Sequence, residues 1–247
     1  MSEFDGQTAV VTGGTRGLGR AITLDLLAHG AAVWATYRGD EEAAARLVDA
    51  AGPLRERLST ARFDVSDSAG VAAFWERLEG ECTAGVQVLV NNSGIRRDAA
   101  VALMTEKDWR SVLDTNLTGS FLMAKSAVRH MAGRRYGRIV TITSPSGRHG
   151  FEGQANYAAS KAGQVAMTRS LAREVARRGI TVNCVSPGFV DTELLADLSA
   201  EQKEAFRASV PLKRFAEPAE VAYAVRVLAA REASYITGSV LEVAGGL

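Results

Sequence analysis

A doubly wound α/β domain, one parallel sheet with helices on both faces, is the fold class that this 247-residue sequence predicts. Three observations predict it. Short apolar runs alternate with segments of helical periodicity from one end of the chain to the other. No linker, repeat or low-complexity stretch breaks the alternation, so residues 1–247 read as a single domain. A strand, a glycine-rich turn and a helix also follow one another directly between Val10 and Ala28.

The strand runs fall near residues 7–12, 31–37, 86–91, 137–143, 180–186 and 239–243. Most are nearly continuous in Val, Ile, Leu and Ala, as parallel strands buried on both faces are. The run from Ser59 to Phe63 is more polar and fits an edge. Between the strands, helical patterns cover Leu18 to Ala28, Gln154 to Arg178 and a segment opening near Glu217. Residues 189–213 interrupt the alternation and are read as a lid over a substrate.

Composition excludes several classes. With 47% hydrophobic and 23% charged residues the chain is not mainly disordered. A net charge of +1 gives no global field for nucleic acid or an anionic membrane. No apolar run reaches the roughly 18 residues of a membrane span, and Met1 to Gly6 lacks the regions of a signal peptide. A cytoplasmic location is therefore expected. Cys82 and Cys184 are too few for a disulfide framework, and His29, His130 and His149 show no ligand spacing, so no metal is expected.

The turn reads Val10-Val-Thr-Gly-Gly-Thr-Arg-Gly-Leu-Gly19. Glycines at 13, 17 and 19 allow a pyrophosphate to approach the backbone, and the helix that follows offers free N–H groups at its positive end. The spacing is G-x-x-x-G-x-G, which differs from the common G-x-G-x-x-G dinucleotide fingerprint. Where the second strand ends, a site for NAD usually places an acid. Here Tyr37 and Arg38 stand there, with no acid until Asp40, and Arg16 adds a cation in the glycine loop. Two guanidinium groups suit the 2′-phosphate of NADPH.

Three further side chains carry chemistry. Tyr157 and Lys161 are four apart in a helical segment and share a face. Ser144 lies thirteen residues before Tyr157, just after the β-rich run from Arg138 to Thr143. Alone, Tyr-x-x-x-Lys also describes an exposed helix face; the serine and the glycine turn give it meaning. A cation beside a phenol favours the phenolate, so Lys161 is expected to lower the Tyr157 pKa and let Tyr157 act as a general acid. Ser146 is a rival for the role of Ser144.

With these residues the chain resembles the short-chain dehydrogenase/reductase family over essentially its whole length. Asp64-Val65, Asn91-Asn92-Ser93-Gly94, Asn116 and Pro187-Gly188-Phe-Val-Asp-Thr192 match further family segments. Ser93 departs from the usual alanine. Gly153 to Gly163 and Ser170 to Asn183 are closest to the 3-oxoacyl-[acyl-carrier-protein] reductases within it.

The resemblance implies a Rossmann-type seven-stranded sheet in the order 3-2-1-4-5-6-7 and a cofactor, NADPH/NADP+. The cofactor residues it implies are Gly13, Thr15, Arg16, Gly17, Leu18, Gly19, Arg38, Asp64, Val65, Asn91, Asn92, Ser93, Gly94, Tyr157, Lys161, Pro187, Gly188, Val190 and Thr192. It also implies an Asn116 that holds a relay water toward Lys161, and contact of Arg135 and Arg178 with an acidic acyl-carrier protein. A homo-oligomer, commonly a tetramer that pairs long helices around residues 110–130 and 155–178, is implied as well. Two other readings stay open: the same chemistry on a free alcohol or ketone, and a non-enzymatic NADPH-binding sensor, against which the retained serine, tyrosine and lysine speak.

Overall fold

The computed structural model describes residues 2–193 and 199–247. Seven strands, β1 (Thr8–Val11), β2 (Ala32–Tyr37), β3 (Leu58–Arg62), β4 (Val88–Asn91), β5 (Gly137–Ile142), β6 (Ile180–Pro187) and β7 (Val240–Val243), form one sheet. Its order is β3-β2-β1-β4-β5-β6-β7 and every pairing is parallel. The polar run expected at an edge is β3, half-exposed at one border of the sheet.

Helices α1 (Gly17–Ala28), α2 (Glu41–Ala51), α3 (Ser68–Glu81), α4 (Glu106–Leu113), α5 (Gly119–Ala132), α6 (Ser146–His149), α7 (Ala155–Val175), α8 (Ala200–Ser209) and α9 (Pro218–Ala229) make the crossovers. Side chains of a strand point alternately to its two faces. Ala9 and Val11 accordingly join Ile22, Leu26, Val225 and Leu228 in one buried layer. Val10, between them, joins Phe74, Leu78, Met123 and Ala127 in the other. All four residues of β1 are buried, which explains the apolar run Ala9-Val-Val11 after Thr8.

The helix expected over residues 110–130 is in fact two, joined by a π-helical turn at Asp114–Thr118. There the Gly119 N–H reaches back to the Asp114 carbonyl, one residue farther than in an α-helix.

In the segment expected to be a lid, residues 194–198 lie outside the described residues. The rest contains α8, opened by a capping box between Ser199 and Gln202. No α8 residue is buried, and the stacking of Phe206 on Phe189, with ring centroids 4.7 Å apart, ties it to the end of β6.

Candidate active site

The order of strands reverses between β1 and β4, and ligands of such sheets bind at the carboxyl ends of strands beside that reversal. Thr12 and Asn92 meet there. Thr12 Oγ1 accepts hydrogen bonds from the backbone N–H groups of Asn92 (2.9 Å) and Ser93 (3.0 Å). Asn92 Nδ2 donates back to the carbonyls of Thr12 (2.9 Å) and Gly13 (3.1 Å). The glycine loop is thus bolted to the end of β4 before any ligand arrives.

Two of the glycines are required by geometry. Gly19 lies so close to the loop that a Cβ would stand 2.0 Å from the Gly13 carbonyl oxygen. Gly17 has a φ of +50° and open space where a Cβ would point. The start of α1 has no side-chain cap and no acid in its first turn, whereas α2 and α3 are capped by Asp40 and Asp67. Free N–H groups beside an open glycine cradle fit a pyrophosphate. Arg16, at the helix entrance, is exposed; Thr15 is buried and Leu18 packs on the core.

At the end of β2, Arg38 Nη1 lies 3.5 Å from Asp64 Oδ2. Burial pushes the Asp64 carboxyl up, but hydrogen bonds from Ser66 and the charge of Arg38 more than offset this and hold its pKa below the usual carboxylate value. Val65 is buried and packs against Gly119. Asn91 is also buried, its Nδ2 donating to the Ser120 carbonyl at 3.3 Å, so its side chain supports α5. Gly188 donates from its backbone to Val243 at 3.0 Å, and Val190 bridges to Ala216, which holds the segment from Pro187 to Thr192 against β7 and the stretch before α9.

Ser144 leaves β5 one residue past Thr143, and α7 begins eleven residues on, carrying Tyr157 and Lys161. Ser144 lies close enough to the Tyr157 phenol to lower its pKa. Lys161 is buried, and its Nζ donates to the Ile142 carbonyl at 2.7 Å. Burial lowers the Lys161 pKa from 10.5 to about 8. Gly94 lies beside both Lys161 and Asn116; a Cβ there would be 3.7 Å from Lys161 Nζ and 3.4 Å from Asn116 Oδ1.

One expectation is corrected. Burial raises the Tyr157 pKa in this arrangement; the opposing influences are the Ser144 hydrogen bond and the charge of Arg96, not Lys161. Asn116 is held by three side-chain bonds: Oδ1 accepts from Ile95 N–H at 2.8 Å, and Nδ2 donates to the Ile95 carbonyl and to Ser160 Oγ, both at 3.0 Å. Its carbonyl accepts from Gln164 Nε2 at 2.7 Å and Ser120 Oγ at 2.6 Å. These bonds pin the loop before α4 to α7, and the second lone pair of Oδ1 remains for a relay water to donate to.

Arg135 and Arg178 come together, away from Ser144. Arg135 Nη2 donates to the Arg177 carbonyl at 3.1 Å, and both arginines are exposed. They precede β5 and β6, whereas Ser144 and Pro187 stand at or just past the other ends of these strands. The six residues of β5 separate the two places by about 20 Å.

A family model described as Enoyl-(Acyl carrier protein) reductase matches residues 13–247. The chain belongs to the short-chain dehydrogenase/reductase family. Among its relatives, 3-oxoacyl-[acyl-carrier-protein] reductase FabG of Escherichia coli (strain K12) is 43% identical over 244 residues, 99% of this chain and 98% of that protein. The Aquifex aeolicus (strain VF5) protein of the same name is 40% identical over 245 residues, 99% of this chain and 98% of its own. Nodulation protein G of Rhizobium sp. (strain N33) is 41% identical over 247 residues, 100% of this chain and 99% of that protein. As a short-chain dehydrogenase/reductase, the chain places its serine, tyrosine and lysine at the carboxyl end of the sheet, beside the glycine loop.

Sequence reasoning missed Gln164, Ser160 and Gln154. Their only signal was polarity, at inward-facing positions of α7 for Ser160 and Gln164 and at its N-cap for Gln154, which becomes visible once the face of α7 is known.

Proposed function

We propose that this protein reduces a 3-oxoacyl thioester carried on acyl-carrier protein to the 3-hydroxyacyl thioester, using NADPH. The observation that carries the reading is the grouping of Ser144, Tyr157 and Lys161 where β5 ends and α7 begins, with Ser144 close enough to lower the Tyr157 pKa and Lys161 Nζ 5.6 Å from the Tyr157 ring. Such a set delivers a proton to oxygen, which suits a ketone rather than a carbon–carbon double bond. The names of the FabG relatives point the same way.

When bound, NADPH supplies the hydride. Gly13, Gly17 and the start of α1 would hold its pyrophosphate, Arg16 and Arg38 its 2′-phosphate, and Lys161 the nicotinamide ribose hydroxyls. Tyr157 donates its proton to the carbonyl oxygen as charge develops there. Ser144 hydrogen-bonds that oxygen, a role typically worth about 3 kcal/mol per donor. The raised Tyr157 pKa keeps the phenol protonated at neutral pH, ready to act as the acid. A cavity of about 170 Å³ beside Phe189, Val210 and Leu212 borders the segment that follows Gly188 and offers apolar wall for an acyl chain.

Carrier-protein contact belongs to the same reading. Arg134, Arg135, Arg177 and Arg178 form an exposed cationic cluster suited to an acidic partner. Exposed Tyr223 on α9 and Leu241 on β7 support a homo-oligomer, a tetramer by family resemblance. A cytoplasmic setting, beside a soluble carrier protein, is part of this reading.

The test compares Tyr157→Phe with the wild type for NADPH oxidation and for NADPH binding by fluorescence. Turnover is expected to be nearly abolished and binding kept. Loss of binding would overturn the assignment of Tyr157.

A further inference from the structure

We propose that Ser146, Gln154 and Asp98 are positioning residues, a side-chain relay that fixes the Ser144 hydroxyl at the Tyr157 phenol. The inference deepens the reading above and depends on the roles given there to Ser144 and Tyr157.

Every link is in place. Arg96 Nη2 lies 3.0 Å from Asp98 Oδ2, and Gln154 Nε2 donates to the same oxygen at 3.2 Å. Gln154 Oε1 accepts from Ser146 Oγ at 3.1 Å. Ser146 in turn accepts from Ser144 Oγ at 3.2 Å, while the Ser146 N–H donates to Ser144 Oγ, also at 3.2 Å.

The chain has one direction. An ionised carboxylate only accepts, so Asp98 forces Gln154 to turn its amide N–H toward it and its carbonyl toward Ser146. Ser146 must then spend its proton on Gln154 and offers Ser144 a lone pair. Ser146 is 5% exposed and has no freedom to reverse this pattern without leaving Gln154 Oε1 unpaired. Ser144 is therefore held by the Ser146 N–H, while its own proton, resting on Ser146 Oγ, can turn toward an oxygen at Tyr157. Pro145, at φ −55°, opens the tight turn into α6 that brings the two serines onto one side. Ser146 is thus no rival to Ser144 but its support.

The charged groups around Tyr157 are Arg96 and Asp98 from the loop before α4, and Lys161 on α7. The variants that test the chain leave all three untouched. Nuclear magnetic resonance of ring-labelled tyrosine follows the ionisation of Tyr157 in the free enzyme, its signal assigned by its absence in Tyr157→Phe.

Ser146→Ala and Gln154→Leu are expected to raise the Tyr157 midpoint in the direction given by Ser144→Ala, while Ser146→Thr, which keeps the hydroxyl, titrates as the wild type does. In turnover, the first two should lower kcat about tenfold and leave KM within about twofold. Wild-type titration in both Ser146→Ala and Gln154→Leu would overturn the proposal. The titration uses no substrate, so a wild-type enzyme inactive on 3-oxoacyl thioesters would sink the substrate reading and leave this test intact.

Discussion

Lys161 Nζ lies 5.6 Å from the centroid of the Tyr157 ring and donates at 2.7 Å to the carbonyl oxygen of Ile142. The ammonium is buried with no carboxylate among its salt-bridge partners in the described residues, and burial lowers its pKa to about 8. A lysine whose pKa falls on folding weakens the fold wherever it must carry its proton. That cost is complete below about pH 8 and fades as the pH rises toward 10.5, where the unfolded lysine also loses its proton.

Lys161→Met should therefore be more stable than the wild type below pH 8, by about 1–2 kcal/mol once the lost bond to Ile142 is counted. The difference should shrink as the pH approaches 10.5. Urea unfolding of both proteins across this range checks it; a constant difference would show that the lysine titrates normally. The same variant should lose activity.

The glycine loop separates two effects that its sequence pattern merges. At Gly19 a Cβ would collide with the Gly13 carbonyl oxygen at 2.0 Å, so Gly19→Ala must push the loop and α1 apart. A loss of at least about 3 kcal/mol is expected, as for overpacking at rigid backbone. At Gly17 only the positive φ is strained, costing about 1 kcal/mol, because nothing lies within 4 Å of the added atom. Gly17→Ala should fold and bind NADPH poorly. Thermal melts paired with nucleotide titrations distinguish the two.

Cofactor choice is assigned to Arg38 and Arg16. Arg38 already spends part of its charge on Asp64 at 3.5 Å, which orients it at the end of β2. Arg38→Ala should weaken NADPH binding about tenfold to a hundredfold, the value of one charge-assisted phosphate contact, and leave NADH binding nearly unchanged. Fluorescence titration with both nucleotides reads this directly. An equal loss for both would mean that Arg38 shapes the loop instead of reading the phosphate.

The arginine cluster makes a prediction about distance. Arg135 and Arg178 stand about 20 Å from Ser144 along the strands, so they touch the carrier and not the reacting group. Arg135→Glu and Arg178→Glu should raise KM severalfold for carrier-bound substrate and leave the same acyl group on a small thiol unaffected. Equal effects on both substrates would place these arginines in the folding of the β5 and β6 entrances.

Much of this molecule was legible in the sequence because its cues are local. Apolar strands buried on both faces have a plain signature, and the strand–glycine–helix order at Val10 to Ala28 leaves few alternatives. Even the polar edge strand showed itself through Ser59 and Thr60. The π-turn at Asp114–Thr118 did not, since one extra residue in a helical turn hardly disturbs a 3.6-residue periodicity. Nor did the partners of Asn116: Ile95 and Gln164 are far from it in sequence, and only the fold brings them within 3 Å. The Tyr157 pKa was misjudged for a related reason. Spacing of four residues places Lys161 on the same helix face but says nothing of its burial, and burial decides the electrostatics of both groups.

The most direct test follows NADPH oxidation with an acetoacetyl group on acyl-carrier protein, beside the same group on a small thiol, a 2-enoyl thioester and several free ketones. The account predicts fastest turnover of the carrier-bound 3-oxoacyl substrate, formation of the 3-hydroxyacyl product, and loss of turnover in Tyr157→Phe with NADPH still bound. Faster reduction of the 2-enoyl thioester or of a free ketone would contradict it.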